Sequence, residues 1–152
     1  MANIREMLNR TIQAKQGIEP EMMNIVNRLS EKIIDLNREG QLFQGKNTAG
    51  KIIGVYSKNT ETKYGGAEKG KYAGDPYNFE DTGDLFKAFT INFHDGKIDI
   101  FSTDSKVPML KQRYEKGEGK LFGLTLNHEM ELNYEILKPE LLKFIKRTLY
   151  NG

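Results

Sequence analysis

The run Gly45-Lys46-Asn47-Thr48-Ala49-Gly50-Lys51-Ile52 comes within one residue of the phosphate-binding pattern G-x-x-x-x-G-K-[ST]. In that pattern, backbone amides at a helix start cradle phosphate oxygens, and the final hydroxyl helps to hold Mg²⁺. Here the hydroxyl position is Ile52, and the run follows a helical pattern and opens a strand-like one. The order is the reverse of what the chemistry needs, so the run reads as a flexible basic loop. Imidazole chemistry is limited to His94 and His128; the i+4 neighbour of His128 is Leu132, which excludes a paired-histidine helical metal site. Asp81 and Asp84, with Asp75 and Glu80 nearby, contain enough carboxylate for a Mg²⁺ site. Three residues apart beside Gly83, they fit a turn or helix cap better, and no base or nucleophile accompanies them. The expectation is a non-enzymatic protein with no catalytic residue, cofactor or metal.

One further constellation could bind rather than react. Residues 41–74 carry six lysines against two glutamates, with tyrosines interleaved. Tyr56, Lys58, Lys63, Tyr64, Lys69, Lys71 and Tyr72 offer phosphate attraction together with base-stacking faces, as single-stranded nucleic-acid binders do. The same residues suit a subunit interface, where tyrosine is favoured. The interface or DNA-facing loop is the principal reading, and a small nucleic-acid-binding module is the alternative.

The elements that must position these residues follow from periodicity. Residues 20–38 give the clearest helix: Met22, Ile25 or Val26, Leu29, Ile33 and Leu36 fall on one stripe, Pro20 suits its first turn, and Gly40 stops it. A shorter helix over 3–15, with Ile4, Leu8 and Ile12 as its stripe, precedes it, so residues 1–39 are expected to form a helical hairpin. Residues 40–80 hold eight glycines and one strand-like run, Lys51–Tyr56; the rest is a long excursion of the kind that binds or orders in an assembly. Ala88–Phe93 and Ile98–Ser102 alternate on either side of an Asp95-Gly96 turn, the signature of a β-hairpin. Phe89, Ile91 and Phe93 share one face, as do Ile98, Ile100 and Ser102. Beyond it, helices are expected over Pro108–Lys116, from Thr125 or Asn127 to about Leu137, and over 139–150. The whole, residues 1–152, reads as a single α+β domain, with a small antiparallel sheet and C-terminal helices packed on it.

The totals narrow the class of function. The protein has 152 residues, and its net charge of +2 comes from 23 basic and 21 acidic side chains, too balanced for a protein that coats nucleic acid. It contains no cysteine, which removes disulfides and thiolate metal sites. No run approaches the ~18 apolar residues of a membrane span, and the N-terminal segment lacks the pattern of a signal peptide. A soluble protein without a membrane partner is expected.

Two stretches carry a resemblance. Gly54-Val55-Tyr56-Ser57-Lys58-Asn59-Thr60, followed by Asp81-Thr82-Gly83-Asp84-Leu85-Phe86-Lys87-Ala88-Phe89, is similar to the tail-completion and head–tail connector proteins of tailed phages. Leu121-Phe122-Gly123-Leu124-Thr125 and the polar C-terminal helix resemble the variant found in phages of Bacteroidetes, including the crAss-like group. The tyrosine-rich insert between Thr60 and Asp81 departs from the simpler pattern. The resemblance implies a virion protein of the neck, assembled in the bacterial cytoplasm as a homo-oligomeric ring on the DNA channel. Its partners would be portal, neck or tail proteins, with non-specific contact to genomic DNA allowed. It also implies structural roles for Thr82, Gly83, Leu85 and Phe89: glycine for a turn closed to other residues, threonine to bond freed amides, the apolar pair under the sheet.

Overall fold

The computed structural model describes residues 3–150. Asn3 caps helix α1 (Ile4–Arg28) reciprocally: its side chain accepts from the Glu6 N–H at 2.9 Å, and the Glu6 carboxylate accepts from the Asn3 N–H at 3.1 Å. α1 runs straight through residues 16–19, where the sequence pattern predicts a gap between two helices, and Pro20 lies inside it. A single residue, Leu29, leaves helical geometry before α2 (Ser30–Arg38), and the bonds Leu29 N–H to Ile25 O and Ile33 N–H to Leu29 O carry the helix across it. The N-terminal hairpin is therefore corrected to one long helix with a local break.

The reason lies at the other end of the sequence. Helix α7 (Lys138–Tyr150) packs antiparallel along α1: the Arg10 guanidinium donates to Leu149 O at 3.1 Å, and Arg28 pairs with Glu140 at 2.7 Å. At Gly17 a Cβ would lie 2.8 Å from the tip of the Phe144 ring, so the bare glycine is what lets α7 approach. An interior proline costs a helix about 3 kcal/mol. Packing against α7 offsets that cost, and the helix continues.

Strands β1 (Phe89–His94) and β2 (Lys97–Ser102) form a two-stranded antiparallel sheet, with Ile91 opposite Ile100 and Phe93 opposite Ile98. Asp95 and Gly96 both take positive φ, 49° and 71°, as the two-residue turn requires. The face carrying Phe89, Phe93, Ile100 and Ser102 is buried against Ile25, Val26, Ile33 and Ile34 of α1 and α2. The α+β class and the hairpin at Asp95-Gly96 agree with the sequence expectations.

Beyond the sheet the polypeptide forms α5 (Val107–Tyr114), an extended segment, and α6 (Leu126–Glu131), capped by Thr125 through its bond from the His128 N–H. α6 leads without a break through a π-helical turn, Leu132–Leu137, into α7. Pro139 lies two residues beyond that turn. A proline has no N–H to offer and crowds the carbonyl four residues back, and a widened turn absorbs both. Leu132, Ile136 and Leu137 join the sheet's core, whereas α7 itself lies on α1.

Residues 40–80 are far from structureless. The expected strand over 51–56 is absent; two isolated bridges, Lys46 with Ile52 and Val55 with Pro76, take its place. The run divides its bonds: the Ile53 N–H donates back to Gly45 O, while Gly54 O and the Tyr56 N–H pair with Tyr77 and Asp75. Where it changes partner, the Tyr77 ring sits directly on Gly54, and a Cβ there would be 2.4 Å from the ring. Helix α3 (Lys58–Thr62), capped by Ser57, and a 3₁₀ turn, Ala67–Lys69, fill the rest.

Side-chain amides hold the extended segment before α6. Asn37, fully buried, donates to Leu121 O at 3.1 Å and accepts from the Gly123 N–H at 3.2 Å. Gln41 donates to Gly123 O and accepts from the Thr125 N–H, and Asn47 donates to Glu118 O. Asn37 and Gln41 thus pair with 121–125 in the alternating manner of a neighbouring strand. Gln41 Oε1 also lies 2.8 Å from His128 Nδ1. A carbonyl oxygen can only accept, so Nδ1 carries the hydrogen.

Candidate functional site

The stretches 54–60 and 81–89 both contribute to one cavity. A cleft of about 440 Å³ opens between α5 and the segments 56–60, 71 and 77–85. That volume is within the range of small-ligand and anchor pockets. Its wall is aromatic: Tyr77 stands edge-on to Tyr56, Phe79 and Tyr114, with ring centroids 5.0, 6.2 and 5.6 Å away. Such pairs each contribute about 0.5–1.5 kcal/mol beyond burial, so the wall is preformed rather than collapsible. Leu85, Met109 and Leu110 complete the apolar surface.

Polar groups fix the wall. The Tyr56 hydroxyl donates to Asn78 Oδ1 at 2.7 Å and accepts from the Asn78 N–H at 3.1 Å. Partial burial raises the phenol pKa of Tyr56 and of Tyr114 above the ordinary tyrosine value, so both stay neutral well into the alkaline range. Phe79, between these anchors, is held at φ +55°, a conformation that bulky residues rarely adopt. Strained backbone of this kind gathers where a surface is shaped for contact.

The rim is charge-balanced. Lys71, Lys106 and Arg113 stand beside Glu80, Asp81 and Asp84. Lys71 lies over the Tyr56 ring and Arg113 over the Tyr114 ring, 5.7 and 5.5 Å from the centroids. Asp81 pairs with Lys69 at 3.4 Å, and Asp84 accepts from the Thr82 hydroxyl. Among the described residues, Glu80 makes no ion pair.

Of the residues singled out from sequence, Tyr56, Lys71, Thr82, Gly83 and Leu85 line this cleft. Gly83 takes φ +82° and leads into a helical turn, α4 (Asp84–Lys87), before the strand begins. Thr82 bonds the freed Asp84 amide. Leu85 is buried and accepts at its carbonyl from the Ser102 hydroxyl at 3.0 Å. Phe89 is not at the cleft: it is buried in the core beside Phe86 and Phe122. Lys69 does not line the cleft and reaches it only through its pair with Asp81. Lys58 pairs with Glu61, whose carboxyl that lysine and the Ala73 N–H hold below the usual range. Lys63 lies over Tyr64, and Tyr64 and Tyr72 are exposed at 69% and 51%. The basic and aromatic residues of the loop therefore divide between the cleft and open surface.

Tyr77, Phe79, Met109, Arg113 and Tyr114 escape the sequence reading. The signals that could have found them are the Tyr77-x-Phe79 alternation after Pro76 and the i,i+4 pair Leu110 and Tyr114 on α5.

The phosphate-like run lies elsewhere and its amides are occupied. Each N–H from Lys46 to Lys51 donates within the protein, those of Ala49 and Lys51 to Asn47 Oδ1. No cradle of free amides remains there for a phosphate. Among the described residues, no three His, Asp or Glu side chains are placed to hold a metal ion, and no helix is long and apolar enough to cross a membrane.

Comparison of the sequence and fold with protein-family models, with curated proteins and with solved structures returns no match.

Proposed function

We propose that this protein is a structural subunit of a homo-oligomeric ring in the neck of a tailed phage, between the portal side and the tail. The observation that carries the proposal is the unpartnered apolar stripe at the start of α1. Ile4, Leu8 and Ile12 recur every four residues, and they are 87%, 57% and 46% exposed. Met7 beside them is exposed as well. Their half of α1 is tied to α7 through the Arg10–Leu149 bond and Gly17 under the Phe144 ring, and none of the four joins the buried core, so the stripe offers a docking surface. Contiguous exposed apolar surface marks an assembly contact. The resemblance of residues 54–60 and 81–89 to connector proteins supplies the kind of assembly. Portal, neck or tail proteins are then its neighbours, and the virion its place.

The test is copy number per virion by quantitative mass spectrometry, on particles of the phage that encodes the protein. A fixed count of the same order as the portal subunits is expected. Absence from purified particles refutes the neck reading.

A second reading, a nucleic-acid-binding module, is favoured by one observation: Lys63 lies over Tyr64, and that ring and Tyr72 are open to solvent. It requires salt-dependent binding of single strands that weakens when Lys63, Lys69 and Lys71 are neutralised. No measurable affinity at low salt eliminates it.

A further inference from the structure

We propose that the outer edge of β2 is a binding site for an extended segment of another polypeptide, which adds a third strand to the sheet and seats alternate aliphatic side chains in the cleft beside it. The site is independent of the ring reading above.

The backbone of β2 is the first reason. Just beyond the sheet the Thr103 N–H donates to Ala88 O at 3.0 Å, and the pairs Thr90–Phe101, Asn92–Asp99 and His94–Lys97 keep the same phase. These pairs therefore exchange the bonds of the hairpin, and the N–H and C=O groups of Ile98 and Ile100 point away from β1. Among the described residues those groups have no backbone partner. Ile100 is only 7% exposed, and backbone groups of residues so buried are nearly always paired in folded proteins. An extended polypeptide supplies donors and acceptors at the spacing that such an edge requires.

The space beside the edge is the second. A cleft of about 320 Å³ lies against β2, and Phe93, Ile98, Ile100, Leu124, Leu132 and Leu137 give it an apolar lining. On an added strand, the residues that bond Ile98 and Ile100 also share their face of the sheet, so the side chains of those residues enter the cleft. Glu129 is the one charged residue of the lining; it is exposed and makes no ion pair among the described residues. A basic residue flanking the aliphatic ones suits it. On the solvent face the added strand stands beside Lys97 and Asp99, which are exposed and opposite in sign, so it meets no net charge there.

The third reason concerns the occupant. A second copy could offer its own β2, but Ile100 of that copy is already seated in its own core and Ile98 packs against it. Both clefts would stay empty. A segment that is extended and free of its own core fills the cleft and pairs the edge at once.

The probe is a nine-residue peptide with lysine at both ends and threonine alternating with valine between them. Two control peptides carry N-methyl groups on the valine amides, or aspartate in place of the central valine. Asn133→Trp, which fills the cleft from an exposed lining position, and Glu129→Arg leave the core untouched. Binding is titrated, and amide exchange is followed residue by residue by nuclear magnetic resonance. The expected result is that the peptide protects the Ile98 and Ile100 amides about tenfold or more, and that each control peptide and each variant binds about tenfold or more weakly. No binding by about 1 mM peptide overturns the proposal, as does binding that survives N-methylation or leaves exchange at Ile98 and Ile100 unchanged. Protection of the two amides that rises with protein concentration in the absence of peptide places a second copy on the edge, and overturns the separate partner. None of these outcomes bears on copy number in the virion, which tests the ring.

Discussion

Replacing Asn37 by alanine tests whether the side-chain clamp on residues 121–125 holds the C-terminal half of the fold. The side chain is fully buried and serves two backbone groups, Leu121 O and the Gly123 N–H. A buried polar group left without a partner costs about 1–3 kcal/mol. Leu121 is buried and takes the full penalty, whereas Gly123 is half-buried and can recruit water. Together with the lost volume, the expected destabilisation is about 2–4 kcal/mol, of which the amide's own bonds supply most. For a protein of this length, about 3 kcal/mol lowers Tm by about 6–12 °C. Urea denaturation should give a lower midpoint with an unchanged slope, and calorimetry should agree. Asn27→Ala, an exposed helical asparagine, is the control and should stay within about 0.5 kcal/mol of wild type. A loss below about 1 kcal/mol for Asn37→Ala refutes the clamp.

Three further outcomes are expected. Phe93→Ala, which empties the buried face of β1, should cost about 3–5 kcal/mol in urea denaturation; a smaller loss means that the sheet is not packed on α1 and α2 as described. Gly83→Ala at φ +82° should cost about 1–2 kcal/mol, whereas Gly117→Ala, which meets nothing and carries no positive φ, should be nearly neutral in the same assay. The Glu140 carboxyl is held below its ordinary value of 4.5, first by the Lys143 ammonium and then by Arg28. A carboxylate with a lowered folded pKa stabilises the protein above the unfolded value, and the contribution disappears as pH falls through the folded one. The Tm difference between wild type and Glu140→Gln should therefore be present near pH 6 and shrink as the pH falls below 4.5; a difference that grows on acidification contradicts the pairing.

Where local chemistry decides, the sequence is readable. Asp95-Gly96 between alternating runs sets the turn, the register and the buried face of the hairpin. Gly83 announces its left-handed turn, and Thr125 its cap. Misreadings arise where a distant segment overrules the local signal. Gly17 and Pro20 look like a helix boundary, and only the Phe144 ring, more than 120 residues further on, makes them interior. Lys51–Tyr56 has the composition of a strand, but its two halves bond to different segments, so no ladder forms. Half of the cleft is legible in the same sense. Thr82, Gly83 and Leu85 stand out as a motif and Tyr56 and Lys71 as a basic–aromatic pattern, yet nothing local says that they share a wall with α5. Asn37, Gln41 and Asn47 are polar residues in a polar sequence; their importance comes from burial, which residue type alone does not reveal.

The pairing of α1 with α7 also bears on timing. Arg10 and Leu149 are 139 residues apart, so the first helix to be synthesised packs against an element made after the whole core. Until α7 emerges, the opening turns of α1 lack the neighbour that offsets the cost of Pro20, and helical stability in proteins comes mostly from such packing. The apolar stripe thus acquires its rigid backing only when synthesis has passed residue 149. If α1 docks in the ring proposed above, a nascent polypeptide has no finished surface to offer the subunits around it, and assembly is restricted to copies whose core already exists.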